Sequence, residues 1–104
     1  MAELARVPAS LVEDGKAHRV EGGPDGICLV AIAGRVHALA DRCSHANVAL
    51  SEGDIDEDSC TVECWKHGSS FSLLDGYPQS LPATKPVAVY RVRQEGNELV
   101  VSDT

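Results

Sequence analysis

Two short segments, each pairing a cysteine with a histidine, constrain the fold of this chain more than any other feature. Cys43 and His45 form a C-x-H motif, and Cys64 and His67 form a C-x-x-H motif. Residues 46–63 separate the two motifs. Thiolate and imidazole groups are common ligands of transition metals. The pattern therefore predicts that two ligand loops meet around a metal centre.

The length and composition predict one cytoplasmic domain over residues 1–104. The chain has 104 residues, 43% of them hydrophobic, which is enough to bury a core. No apolar run approaches the roughly 20 residues that span a bilayer, and the N-terminus has no signal-peptide core. Because thiols stay reduced in the cytoplasm, the four cysteines are expected to be metal ligands or buried thiols rather than disulfides.

The charge argues against two classes of partner. The formal net charge is -7, whereas nucleic acids and anionic membranes both select a basic protein face. Five carboxylates lie within residues 52–58. This segment is interpreted either as a solvated acidic loop or as a docking surface for a basic redox partner.

Short alternating runs predict an all-β fold. We expect two hairpins, one turning near Gly34 and one around Gly96. No segment has a long 3.6-residue period, so the pattern indicates a small antiparallel sandwich or barrel. The predicted strand segments are 3–7, 17–22, 27–34, 35–41, 59–64 and the two arms of 87–103.

The remaining cysteines and histidines are expected to be structural. Cys28 lies in the apolar run 27–32 and is predicted to be a core thiol. Cys60 is expected to share one strand face with Cys64 and to be a structural or redox-sensitive thiol. His18 and His37 are expected to be ordinary surface or edge histidines.

Three metal centres compete for the four candidate ligands. One Zn²⁺ could take them all, but the usual zinc pattern draws its two cysteines from one segment and its two histidines from another. An all-cysteine iron–sulfur cluster does not fit, because the cysteine spacing differs from that of ferredoxins. A Rieske [2Fe-2S] centre, in which two histidines replace two cysteines on one iron, is the third possibility.

On these motifs the chain resembles the Rieske ferredoxins, the electron carriers of bacterial aromatic-ring dioxygenase systems. The resemblance covers essentially the whole chain and includes C-x-x-H-G-S-S-F followed by D-G-Y-P and P-A. It implies one [2Fe-2S] cluster, with Cys43 and Cys64 on the buried iron and His45 and His67 on the outer iron. It also implies a small antiparallel β-sandwich with a cluster-binding subdomain at one tip, over about residues 41–72.

Hydrogen bonds to the cluster sulfurs raise the reduction potential of a Rieske centre. The donors around the two motifs therefore bear on its value. Ser69 matches the serine that donates to a bridging sulfide in respiratory Rieske proteins. Phe71 stands where those proteins carry a donating tyrosine. Val48 and Lys66 stand where they carry a disulfide. The resemblance therefore implies a low-potential centre.

Four residues of the second loop are expected to surround the cluster: Trp65, Lys66, Gly68 and Ser69. Trp65 is interpreted as a hydrophobic cap or a docking contact. Lys66 is interpreted as a charge that offsets the added electron or as a solubilising lysine. The Pro-rich segment 76–86 is expected to cover one side of the cluster.

The resemblance implies a soluble one-electron carrier rather than an enzyme. The electron would come from a flavoprotein reductase and pass to a terminal oxygenase or similar acceptor. No nucleotide-binding glycine motif is present, so reducing equivalents must come from another protein. The alternatives are a small nitrite reductase subunit, an auxiliary redox protein of iron–sulfur assembly, and a zinc-stabilised interaction module.

Overall fold

Antiparallel strands make up most of the computed structural model, which describes residues 3–44, 47–66, 68–81 and 83–103. Apart from two short 3₁₀ turns, Ala9–Leu11 and Leu50–Glu52, these residues contain no helix. The strands are β1 (Glu3–Pro8), β2 (Ala17–Val20), β3 (Ile27–Ile32), β4 (Arg35–Ala40), β5 (Asp54–Asp56), β6 (Thr61–Glu63), β7 (Ser70–Ser72), β8 (Val89–Glu95) and β9 (Glu98–Ser102).

The strands form two sheets. The larger has six strands in the order β1-β9-β8-β4-β3-β2, and the smaller has three in the order β5-β6-β7. β3 and β4 are joined by a two-residue turn in which Ala33 and Gly34 have φ values of 52° and 82°. Positive φ at both positions matches the right-handed twist of paired strands, which fixes the register of this central hairpin.

Strand β3, which lies between β4 and the edge strand β2, is buried on both faces. Its residues alternate between two hydrophobic clusters, with Cys28 and Val30 on one side and Ile27 and Leu29 on the other. The first cluster also contains Val62 and other residues of the small sheet and its loops. The small sheet therefore packs against one face of the large sheet, and β3 reads as a continuous apolar run because neither face meets water.

The predicted all-β fold class and both predicted hairpins are confirmed. Two strands of the small sheet were not predicted, β5 (Asp54–Asp56) and β7 (Ser70–Ser72). The interpretation of residues 52–58 as a loop is wrong in part, because β5 lies inside this segment and pairs with β6. The exposed Asp54 and Asp56 flank Ile55, whose side chain packs against the core, so one apolar residue in an acidic run defines the inward face of the strand.

Cys60 does not lie on a strand face with Cys64 as predicted. It precedes β6 with a φ of 56°, which places its backbone in the left-handed region. No helix within the described ranges has the length and hydropathy needed to cross a membrane.

Candidate metal centre

The first ligand loop, residues 41–51, leaves β4 and holds Cys43 in the interior. The side chain of Cys43 is buried, and its backbone N–H donates to the carbonyl of Val48 at 2.9 Å. The loop ends in the 3₁₀ turn Leu50–Glu52, where Leu50 is fully buried. Burial of Leu50 anchors the end of the loop to the core, so the position of Cys43 is fixed from both sides.

The second ligand loop, residues 64–69, connects β6 to β7. Cys64 is fully buried, and its N–H donates to the carbonyl of Ser69 at 2.7 Å. Its carbonyl accepts from the N–H of Gly68 at 2.9 Å. Gly68 has a φ of 76°, a conformation that glycine adopts without the steric cost of a Cβ atom.

The structure brings both predicted thiol ligands into one hydrophobic cluster. Cys43 and Cys64 share it with Leu50, Val62 and Phe71. All four cysteines of the chain lie in described residues, and none forms a disulfide. Two buried thiols on neighbouring loops fit a group that needs two thiolate ligands shielded from water.

The two predicted histidine ligands, His45 and His67, lie outside the described residues. Elsewhere in the described ranges, no group of three or more histidine, cysteine or carboxylate side chains could hold a metal ion. The two histidines follow the buried thiols by two and three residues. Their assignment therefore stays a prediction.

The chain segments that adjoin the two loops come into close contact at Gly53. This residue follows the first loop, and Glu63 precedes Cys64 at the start of the second. A Cβ atom built on Gly53 would lie 1.7 Å from the carbonyl oxygen of Glu63. Such an approach is possible only for glycine, so the spacing of the two loops depends on this position.

Asp41 opens the first loop with a carboxylate that has no exposed surface. Its Oδ1 accepts from the backbone N–H of Ser51 at 2.7 Å, and its Oδ2 accepts from Ser51 Oγ at 2.6 Å. Oδ2 also accepts from Arg19 Nη1 at 2.9 Å. Sequence reasoning missed this cluster, although a carboxylate directly after an apolar strand and two residues before a ligand is a usable signal.

Ser69 links the second loop to the Pro-rich segment 76–86. Its side chain is fully buried, and its Oγ accepts from the N–H of Ala83 at 3.0 Å. In the part of the chain that the structure describes, the hydroxyl proton of Ser69 has no protein acceptor. A serine hydroxyl that accepts one hydrogen bond keeps a proton with which it can donate another.

Further hydrogen bonds hold the Pro-rich segment against both loops. Ser80 Oγ accepts from the N–H of Ser70 at 3.0 Å. Ser44 Oγ donates to the carbonyl of Lys85 at 2.5 Å. The segment thus contacts the first and the second ligand loop, and its expected place over one side of the cluster stays a prediction.

The other residues predicted near the cluster differ in exposure. Trp65 is 56% exposed, whereas Phe71 is fully buried. Lys66 is exposed and forms no salt bridge with any described residue. Trp65 is thus open to solvent, and its interpretation as a hydrophobic cap or a docking contact stays a prediction.

The cysteines outside the motifs have different surroundings. Burial, with a smaller contribution from the charge of Asp41, raises the pKa of the Cys28 thiol, which agrees with a core thiol. Cys60 is half-buried, and its Sγ lies 3.9 Å from His37 Nε2. Burial, reinforced by the charge of Arg35, lowers the pKa of His37. This histidine is half-buried on β4, which has a neighbouring strand on each side and is therefore not an edge strand.

Known proteins resemble this chain over nearly its full length. Residues 4–91 match the family model described as the Rieske [2Fe-2S] domain. The 3-phenylpropionate/cinnamic acid dioxygenase ferredoxin subunit of Escherichia coli (strain K12) is 40% identical over 101 residues, covering 97% of this chain and 93% of that protein.

Two solved structures extend the comparison to the fold. The ferredoxin of carbazole 1,9a-dioxygenase from Nocardioides aromaticivorans IC177 matches with a TM-score of 0.91 at 28% identity, covering 99% of this chain and 100% of that one. A chain in the complex of reduced oxygenase and oxidized ferredoxin in carbazole 1,9a-dioxygenase matches with a TM-score of 0.85 at 30% identity, covering 98% and 92%.

Proposed function

Because the chain belongs to the Rieske [2Fe-2S] domain family, we propose that Cys43, His45, Cys64 and His67 are the four ligands of its cluster. A cluster of this type has two cysteine and two histidine ligands, so these four residues would hold one [2Fe-2S] cluster. Like the ferredoxin subunit that it resembles, the chain is an electron-transfer protein rather than an enzyme. When bound, the cluster supplies a one-electron oxidation–reduction couple. The observation that carries the ligand assignment is the burial of both motif cysteines in one hydrophobic cluster.

The burial of the two motif cysteines supports the inner position proposed for them. The buried Cys43 and Cys64 would hold the inner side of the cluster as thiolates, away from water. His45 and His67 would hold the outer side through neutral ring nitrogens. We propose residues 41–72 as the cluster-binding subdomain, supported by the contacts of both loops with the Pro-rich segment.

The potential is proposed to lie near the bottom of the Rieske range, which spans about -150 to +300 mV. Phe71 is fully buried within the same hydrophobic cluster as the two thiols, and it has no hydroxyl group to donate to a sulfur. Val48 and Lys66 exclude a disulfide between the loops. Ser69 keeps one hydroxyl proton that can be donated to the cluster.

The partners are proposed to be a flavoprotein reductase as donor and a terminal oxygenase as acceptor, both in the cytoplasm. The proposal is supported by 40% identity to a dioxygenase ferredoxin subunit and by similarity to a ferredoxin solved together with its oxygenase. Exposed Trp65 and Lys66 lie directly beside Cys64, where a partner must approach for rapid electron transfer.

The ligand assignment is tested by metal analysis and electron paramagnetic resonance on single-histidine variants. The reduced wild-type protein is expected to contain two irons and two sulfides, with a rhombic signal typical of mixed-ligand clusters. His45→Ala and His67→Ala should each lose the cluster, because ligand binding and loop folding are coupled.

His18→Ala is the matched control, since this histidine lies on β2 and outside both motifs. It should keep the iron content and the spectrum of the wild type. A His45 or His67 variant with a normal spectrum would remove that residue from the ligand set. Zinc in the wild-type protein would overturn the electron-carrier function.

A further inference from the structure

The buried carboxylate of Asp41 links the two ends of the first ligand loop by hydrogen bonds. The side chain of Asp41 has no exposed surface. Its two oxygens accept hydrogen bonds from Ser51 at the other end of the loop, Oδ1 from the backbone N–H at 2.7 Å and Oδ2 from Oγ at 2.6 Å. The segment between these residues contains Cys43. Closing a loop of this length has an entropic cost, and the paired hydrogen bonds of one carboxylate offset it.

The carboxylate is held in turn by the large sheet. Arg19 on β2 donates from Nη1 to Asp41 Oδ2 at 2.9 Å, and the backbone N–H of Asp41 donates to the carbonyl of Gly26 at 3.1 Å. The guanidinium of Arg19 lies over Gly26, where a Cβ atom would meet its Nη2 at 2.6 Å. The absence of a side chain at Gly26 thus lets Arg19 reach across and fix the orientation of the carboxylate.

The burial of the pair is unequal. The Arg19 side chain is 43% exposed, whereas that of Asp41 is fully buried. Water therefore screens the positive charge more than the negative one, and the negative field extends into the protein interior. The effect of Asp41 on the Cys28 thiol, whose pKa it helps to raise, is consistent with this direction.

We propose that Asp41 is a positioning residue of the metal centre, which holds Cys43 in place by closing the first ligand loop and adds a negative charge that disfavours the reduced state. The proposal rests on the proposed function, in which Cys43 is a ligand. The side chain of Asp41 contacts Ser51 and Arg19, which support the loop. Its influence passes through the loop and through its electric field.

The test compares three variants of the cluster-loaded protein. Asp41→Asn keeps the shape of the side chain but removes its charge. It should shift the midpoint potential upward and increase severalfold the rate at which a chelator removes iron. Ser51→Ala removes only the 2.6 Å hydrogen bond and keeps the charge. It should accelerate iron release with a smaller shift in potential.

Asp25→Asn is the matched control. Asp25 is a neighbouring carboxylate that pairs with Arg42 at 3.6 Å and is 34% exposed, but it does not close the loop. This variant should keep the wild-type potential and iron-release rate. The potential is measured by spectroelectrochemical titration, and iron release by the loss of cluster absorbance.

The outcomes separate this inference from the function on which it rests. An Asp41→Asn protein with wild-type potential and iron-release rate would overturn the positioning role, even if its unfolding temperature fell. If Asp41→Asn does not fold, Ser51→Ala decides: faster iron release supports the role, and an unchanged rate overturns it. Wild-type protein without two irons and the rhombic signal would instead overturn the proposed function.

Discussion

The two ligand loops use the same backbone closure but different supports. In each, the N–H of the motif cysteine donates to the carbonyl five residues later, at Val48 in the first loop and Ser69 in the second. The first loop is then closed by the charged side chain of Asp41. The second is held by a neutral hydroxyl that binds the Pro-rich segment. The main side-chain support of the first loop is therefore a buried charge, and that of the second loop is an uncharged hydroxyl group.

This difference separates two physical controls over one metal centre. A charge inside the protein acts over several ångströms through a medium of low dielectric constant. A hydroxyl acts only on the atom to which it donates. Changes to the first loop should thus move the potential through the electric field, whereas changes to the second should move it through individual hydrogen bonds.

The largest effect is expected where the two loops meet. Gly53→Ala would place a methyl group 1.7 Å from the Glu63 carbonyl oxygen, so the backbone must shift and separate the loops. We expect a loss in the free energy of unfolding on the order of 3 kcal/mol, measured by urea denaturation of the apoprotein. Cluster content should fall together with stability.

Gly96→Ala is the control for this substitution. Gly96 lies in the β8–β9 turn with a φ of 61° and has open space around its Cα atom. The variant should lose only about 1 kcal/mol, from left-handed backbone strain. Equal losses for the two variants would show that the loops can separate at little cost and would weaken the importance of their close approach.

An intermediate effect is expected from the hydroxyl that supports the second loop. Ser69→Ala leaves the buried N–H of Ala83 without its acceptor, which should cost about 1–3 kcal/mol of unfolding free energy. If the hydroxyl also donates to the cluster, the midpoint potential should fall. Ser80→Ala is the control, because Ser80 Oγ bonds the same pair of segments at an exposed position. If Ser80→Ala lost as much unfolding free energy as Ser69→Ala, the burial of Ser69 would not explain the stability of the second loop.

The smallest effect is expected from an added hydroxyl. Phe71→Tyr should raise the potential by about 40 mV, the equivalent of one net hydrogen bond of about 1 kcal/mol in a one-electron couple. The measurement is a redox titration of the loaded protein. Adding Ser69→Ala should leave this increment unchanged if the two hydroxyls donate to different sulfurs. No shift in potential would mean that the new hydroxyl does not reach a ligand sulfur.

The sequence predicted the elements whose signals are local. The β8–β9 hairpin has clear alternation around a turn containing Gly96, and β3 has an uninterrupted apolar run. The thiol pair of Cys43 and Cys64 was also visible, because motif spacing limits the chemistry that each segment can perform. The short strand β5 was hidden because the five carboxylates of residues 52–58 mask the single inward residue Ile55.

The supports of the loops could not be predicted, because they depend on contacts between distant residues. Nothing local marks Ser51 as the partner of Asp41, or Arg19 as the cation that reaches Asp41 over Gly26. The same applies to Ala83, whose N–H finds Ser69 across a separation of 14 residues. Propensity and periodicity describe the strands well, but the order of side chains around a site is set only when the sheets pack.

Because Trp65 is exposed, its fluorescence can be used to follow cluster loading and partner binding. It is the chain's single tryptophan, it is 56% exposed, and it adjoins the proposed ligand Cys64. Fluorescence excited selectively in tryptophan rather than in the two tyrosines therefore comes from one indole beside a proposed cluster ligand. An absorbing iron–sulfur group should quench this emission, and a partner that covers the ring should shift it to shorter wavelength. Loading and docking could thus be followed in one cuvette without attaching a dye.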